Sequence, residues 1–292
     1  MRKAWDSELQ KIYLAHEKLI SNTRKSVERY FSKCDKETEE FLILLFAMYA
    51  YNGRIDYILA RKYLTVAELD KFRLHATDLE WASDSYIEVL EPLLAKTRVS
   101  RIEYTQANIR SSFEEALTKS YEKIQDVFLE ANKISIAKID KLYEYGMTEE
   151  KIEKLSKEIA NLKTIYGTTN TQIENIRKSM YKIIDTFTPQ AFARKLSQED
   201  FIKEMRGDIA KIKNRCRYIM YTMGNYQFNT ILQYFMNELN IGEYKYCAIL
   251  DNRTSEICKQ LDGSTFKLTQ AQVGVNFPPM HPNCRSYIIP II

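Results

Sequence analysis

Apolar residues recur at every third or fourth position through most of this chain, and few glycines interrupt them. Between about 106 and 133 the stripe is Ile109, Phe113, Leu117, Tyr121, Ile124 and Phe128, one face of a 3.6-residue helix. Ile152, Leu155, Ile159 and Leu162 repeat the spacing between Glu and Lys residues, a heptad-like seam too short for a coiled coil. Phe201, Met205, Ile209, Ile212, Cys216 and Ile219 form a third stripe, and Trp5, Leu9, Ile12, Tyr13, His16, Leu19 and Ile20 a fourth. Only eight glycines occur in 292 residues, most of them at segment ends. Such a chain is mainly α. On their stripes, His16 reads as a satisfied core histidine and Cys216 as a small core residue.

Breaks in the periodicity and capping residues divide this region. The first helix is expected over 3 to about 33, interrupted by Cys34-Asp35-Lys36, and a second over 36–52, stopped by Asn52-Gly53. A short helix follows at 55–64. Thr65 and Glu68 form a capping box for a helix toward Trp81, with His75 facing solvent among charged residues. Pro92 marks a break after Leu90. Thr148 caps the helix from 149, and Thr171 with Glu174 reads as a second box. Thr188-Pro189 reads as a helix start, and Ser197 with Asp200 as another box. A long helix then runs to Leu239, bent near Gly224-Asn225 and ended by Asn240-Ile241-Gly242.

Composition narrows the class. A hydrophobic content of 45% is enough for a core, and a net charge of +4, spread through the chain, is too weak to argue for nucleic acid by itself. The start, Met-Arg-Lys-Ala-Trp-Asp, carries no signal peptide. The longest apolar run, Phe41 to Tyr51, is far short of the roughly 20 residues of a membrane span. The five cysteines are an odd number in such a chain, which argues for reduced thiols and against a disulfide framework.

After Gly242 the character changes. The last 46 residues hold three of the five cysteines, one of three histidines and four of six prolines. Tyr244 to Leu250 reads as a strand and Asp251-Asn252 as a turn, with Thr254 capping a short helix to Gln260. Leu261-Asp262-Gly263 is a tight turn and Ser264 to Leu268 a short strand. Thr269 to Val273 is a helical turn ended by Gly274. Phe277 to Asn283 is a proline-locked loop, and Arg285 to Ile289 a last strand. The expected architecture is a long helical region, 1–175, followed by 176–292: long helices at 176–240, then a small α+β module with a short mixed or antiparallel sheet at 243–292.

Cys258, His281 and Cys284 are candidate metal ligands, with Cys247 as a candidate fourth. Thiolate and imidazole suit zinc, although the spacing departs from a C-x2-C pair. The competing reading is a structural loop with buried thiols and a histidine bonded to backbone carbonyls. Asp251 and Asp262 could form a carboxylate pair, yet each sits where a turn uses Asp for its own backbone hydrogen bonds. Arg253 and Arg285 are placed to pair with one of them. The chain carries no H-E-x-x-H, G-x-S-x-G, Walker or dinucleotide motif, and His281-Pro282-Asn283 departs from the zinc-deaminase pattern. No catalytic residue is assigned, and the chain is expected not to be an enzyme. The alternative is a metal-dependent enzyme, such as a nuclease, using His281 with Asp251 or Asp262.

Taken together, Tyr246, the Asp251-x-Arg253-Thr254 turn, Cys258, Leu261-Asp262-Gly263 and Pro278-Pro279-Met280-His281-Pro282-Asn283-Cys284-Arg285 resemble a known pattern. They are similar to the C-terminal domain of phage head morphogenesis proteins, the minor head proteins typified by the F protein of phage Mu and the minor head protein of phage SPP1. The resemblance covers roughly 180–290, and the last 45 or so residues closely. Two positions depart from it: Tyr246 stands where the family commonly has Trp, and Arg215-Cys216-Arg217 where an Arg-Thr-Glu is frequent. The resemblance implies a virion component present in few copies, made in the host cytoplasm and placed at the portal or inner capsid. It implies a role in head morphogenesis, DNA packaging or DNA ejection, with the portal protein or capsid as partners and phage DNA as a further candidate.

Overall fold

The computed structural model describes residues 2–76, 82–163 and 167–292. The expected helix end at Trp81 and the side chain of His75 lie outside the described residues. The chain is mainly α, with a three-stranded antiparallel sheet near its C-terminus. The order is α1 (Arg2–Tyr49), α2 (Tyr57–Ala60), α3 (Val66–Ala76), α4 (Asp84–Leu94), α5 (Arg101–Tyr143), α6 (Glu149–Ala160), α7 (Thr169–Ala193), α8 (Gln198–Glu238), β1 (Glu243–Cys247), α9 (Glu256–Leu261), β2 (Thr265–Lys267) and β3 (Tyr287–Pro290).

The helices are longer than the local breaks suggested. Cys34 does not interrupt α1: Val27, Phe31, Cys34, Thr38, Leu42 and Leu45 are all buried, so the stripe runs straight through. Pro92 lies inside the last turn of α4, where its missing N–H removes one bond before the helix would end anyway. Thr188-Pro189 lies inside α7. The Asp185 carbonyl that Pro189 cannot serve lies 3.5 Å from the Gln106 side-chain amide. α7 starts earlier than Thr171 because Thr168 is its cap, accepting the Thr171 N–H at 3.1 Å. Glu174 pairs with Arg177 instead of closing a box. The box at Thr65/Glu68 forms as expected, Ser197 caps through the Asp200 N–H while its hydroxyl donates to the Asp200 carboxylate, and the Thr148 cap forms too.

Packing divides the chain into two interleaved units, Met1–Arg24 with Lys123–Gln172 and Arg217–Ile292, and Lys25–Glu122 with Ile173–Cys216. The linear division at 175/176 falls inside α7, and neither unit is one continuous stretch. In the second unit, Leu64, Leu69, Phe72, Tyr86, Leu90, Val99 and Ala107 form an apolar cluster. The same unit buries an ion pair, Arg177 Nε to both Glu114 carboxylate oxygens at 2.9 Å.

The first unit carries the terminal module. Its core joins Leu9, Ile12 and Tyr13 of α1, Ile136 and Ile139 of α5, Leu155 and Ile159 of α6, and Phe228 to Met236 of α8 to the sheet. The strand order is β2-β1-β3, with Tyr244 opposite Phe266 and Tyr246 opposite Ile288. β3 is buried along its whole length. The module therefore shares its core with four helices, which removes the size limit a sheet this small would face alone.

α8 ends as the sequence anticipates. Asn240 takes a positive φ of 56°, and the Ile241 N–H reaches back to the Met236 carbonyl at 2.8 Å, a Schellman-type closure. α8 is continuous as a helix through Gly224-Asn225.

Candidate metal centre

The site is built on the short helix α9 and the loop that precedes β3. α9 is capped by Ser255, one residue later than the expected Thr254. Thr254 is occupied in the preceding turn, where its hydroxyl donates to the Ile249 carbonyl (2.6 Å) and accepts from the Asp251 N–H (2.8 Å). Capping at Ser255 places Cys258 in the first turn of α9, facing inward and 2% exposed. His281 and Cys284 are brought up by the loop 278–286, which begins with a cis Pro278-Pro279 peptide. The Cys284 N–H closes this turn on the His281 carbonyl at 3.1 Å.

Three expected ligands thus meet. Cys258 Sγ lies 3.3 Å from His281 Nε2 and 3.8 Å from Cys284 Sγ. The three donor atoms all fall within 4.8 Å of one another, the only such His/Cys/Asp/Glu group among the described residues. Zinc bonds of about 2.3 Å to sulfur and about 2.0–2.1 Å to nitrogen give tetrahedral edges of about 3.8 Å between sulfurs and about 3.6 Å from sulfur to nitrogen. The observed separations match the first and are slightly inside the second. His281 Nδ1 lies 2.9 Å from the Pro282 carbonyl and is held as the donor there, leaving the Nε2 lone pair facing Cys258 Sγ and the Ser255 hydroxyl. The donor set therefore fits a metal ion.

The electrostatics agree. Cys284, donating its S–H to Cys258, is the main cause that pushes the Cys258 thiol down, and the hydroxyls of Ser255, Ser286 and Tyr246 add to it. The same bond and burial push Cys284 up. Within the pair, Cys258 is the thiol favoured to ionise first.

Cys247 does not join them. It is half-buried in β1, where alternation turns it to the opposite face from Tyr246. Tyr246 is the inward residue, and its hydroxyl donates to Cys258 Sγ at 3.3 Å.

The remaining motif residues hold the frame. The Asp251 carboxylate accepts from the Arg253 N–H at 2.8 Å, closing an Asx turn, and pairs with the Arg285 guanidinium. Arg285 first and the Arg253 N–H second hold Asp251 below the usual carboxylate range. The Arg253 side chain is more distant, at 3.8 Å. Asp262 accepts from the Ala248 N–H at 2.8 Å. Gly263 has φ 80°, a conformation that favours glycine, and its N–H donates to the Tyr246 carbonyl at 2.9 Å. Neither Asp251 nor Asp262 belongs to the donor group around His281.

Several contributors escaped the sequence reading. Ser255 contacts His281 Nε2 at 2.8 Å. The side chains of Asn225 and Asn229 of α8 both donate to the Ser286 carbonyl, at 2.8 and 3.2 Å, and Asn229 Oδ1 accepts from Ile288 N at 2.9 Å. Thr222 accepts from Asn283 N at 3.1 Å. One signal was present: Asn225 and Asn229 stand four residues apart in a helix with apolar neighbours, which places two amides on one face.

The free space beside Cys258 and His281, bordered by Ile249, Arg253, Asn283 and Arg285, is about 10 Å³. That admits one ion or water and falls far below the roughly 300–1,000 Å³ of an organic-ligand pocket.

Residues 182–289 match the family described as Phage Mu protein F like protein. The matched segment contains the end of α7, all of α8 and nearly the whole terminal module, so this part of the chain is similar to the phage Mu F-like head morphogenesis proteins. No curated protein and no solved structure matches the chain.

Proposed function

We propose that this chain is a minor head protein of a phage or prophage, a structural component that docks at the portal or inner capsid during head morphogenesis. The observation that carries this reading is the coincidence of the family domain with the folded module. Tyr246, Asp251, Thr254, Asp262, Gly263 and Arg285, which belong to the family-like pattern, all serve to close turns or support the Cys258–His281–Cys284 centre. Residues spent on rigidity suit a part that must present a fixed surface in an assembly. Assembly in the host cytoplasm, residence in the virion and a role in DNA packaging or ejection follow from this reading.

Zinc is the metal proposed for the centre. When bound, it supplies a strong cross-link between α9 and the 278–286 loop. Cys258 and Cys284 provide the sulfurs and His281 the nitrogen, while Tyr246 and the Pro282 carbonyl orient them. The role is structural and not catalytic: the free space is too small for a substrate, and Asp251 and Asp262 are engaged elsewhere. A nuclease reading would require His281→Ala to abolish a robust wild-type DNA cleavage.

Co-expression with the cognate portal protein tests the docking role. A complex that survives size-exclusion chromatography is expected, and its absence counts against portal docking. Elemental analysis of the purified full chain tests the metal. About one zinc per chain is expected, lost in Cys258→Ser and Cys284→Ser with a drop in stability on the order of several kcal/mol. A zinc-free chain whose stability is unchanged in Cys258→Ser would remove the metal from the account.

A further inference from the structure

Zinc in a structural site takes four donors in a tetrahedron, and Cys258, His281 and Cys284 supply three. Cys247 faces away from them in β1. The fourth position falls either to another side chain at the same point or to a molecule from solvent. The free space beside Cys258 and His281, about 10 Å³, leaves room for one small group only.

Three hydroxyls border the Cys258 sulfur. That of Tyr246 is buried and donates to the sulfur at 3.3 Å. That of Ser286 is shared between Cys258 and Tyr246. Ser255 differs: its hydroxyl bonds the sulfur and also lies 2.8 Å from His281 Nε2, so it touches two of the three donors at once. It is half-buried and lines the same small space. The same oxygen caps α9 by accepting the Cys258 N–H, at a long 3.4 Å that fixes its place and leaves it weakly committed. Zinc bonds of about 2.0–2.2 Å to oxygen and about 2.0–2.1 Å to nitrogen set a tetrahedral edge of about 3.4 Å. The hydroxyl lies about 0.6 Å inside that edge, a difference within reach of a small χ1 rotation. Given the metal reading of this centre, on which the inference rests, we propose that the Ser255 hydroxyl oxygen is the fourth donor. The centre is then a closed set of two cysteines, one histidine and one serine.

Cobalt(II) titrated into the metal-free full chain tests this, with azide as a probe for an exchangeable position. The wild-type cobalt spectrum should be four-coordinate and unchanged by azide. Ser255→Gly, which keeps most of the capping, should make the spectrum respond to azide and weaken metal binding roughly tenfold or more. Ser255→Cys should raise the thiolate-to-cobalt charge-transfer intensity by about half, as two sulfurs become three. Loss of a helix cap alone moves neither the azide response nor the charge-transfer band. A wild-type spectrum that shifts with azide, or a Ser255→Gly spectrum identical to wild type with and without azide, overturns the proposal and leaves the three-donor centre standing. A chain that takes up no cobalt, in wild type and in Ser255→Cys alike, removes the metal centre itself.

Discussion

His16 shows how one buried side chain can set a pH limit on the first packing unit. Its Nε2 lies 3.1 Å from the Gly224 carbonyl, and its Nδ1 lies 3.0 Å from the Ser135 hydroxyl and 3.3 Å from the Ala131 carbonyl. Burial pushes its pKa down to about 4, partly countered by the two carbonyls. The folded state thus holds it neutral where the unfolded chain, titrating near 6.5, takes up a proton. Unfolding binds protons in that window, so stability is full above about pH 6.5 and is lost as pH falls toward 4, by up to roughly 3 kcal/mol. Urea titrations at pH 7 and pH 5 should show the loss in wild type and much less of it in His16→Gln. A second residue-scale test concerns Asn229, whose replacement by Ala leaves the buried Ile288 N–H without its acceptor. The expected cost is about 1–3 kcal/mol, read by denaturant melts, and a cost below a few tenths would mean the amide does not anchor β3. At this scale the sequence was informative where chemistry is rare. Cysteine and histidine clustered in one short stretch pointed to Cys258, His281 and Cys284. Cys247 could not be separated from them, because only strand alternation decides which way a side chain faces.

Helix α8 offers an internal comparison at the scale of the element. Gly207 and Gly224 lie in the same helix, and neither has the positive φ that would require glycine. A Cβ at Gly207 would meet nothing within 4 Å, whereas one at Gly224 would come to 3.1 Å from Cγ1 and 3.2 Å from Cδ1 of Ile20, itself buried. Gly207→Ala should therefore stabilise the protein by about 0.5–1 kcal/mol through helix propensity. Gly224→Ala should lose that gain to overpacking and come out destabilising by about 1 kcal/mol. Thermal melts of the two variants should move in opposite directions, and equal upward shifts would show that α1 does not press on α8 at Gly224. The helices themselves were legible from periodicity, because stripes such as Phe201 to Ile219 report burial directly. Their ends were less so. Cys34-Asp35-Lys36, Pro92 and Thr188-Pro189 all look like boundaries locally, yet packing on either side carries the helix across. Thr168 and Thr171 are equally good caps by composition, and so are Thr254 and Ser255. Tertiary contacts decide between them, since the hydroxyl of Thr254 is already committed to Ile249 and Asp251.

For the whole molecule, the terminal module is best understood as part of a larger core. Phe228, Phe235, Tyr244, Tyr287 and Ile288 pack in one cluster with residues from α1, α5 and α6, and Cys258 and Cys284 form a smaller cluster with Tyr246 and Met280 that shares Phe266 with it. The sequence could not show this, because interleaving pairs residues more than 200 positions apart, as Tyr13 with Asn225. A reading along the chain sees a helical region and then a module. The buried pair Glu114–Arg177 belongs to the same category of long-range contact. Arg177→Met should cost about 3–5 kcal/mol by stranding the Glu114 carboxylate, measurable by denaturant titration, and a neutral result would mean that Glu114 simply takes up a proton. The central claim, that this folded body is a minor component of a phage head, is tested most directly by quantitative mass spectrometry of purified virions. The account predicts the chain in the particles at a small fraction of the major capsid protein; its absence from intact, infectious particles would contradict it.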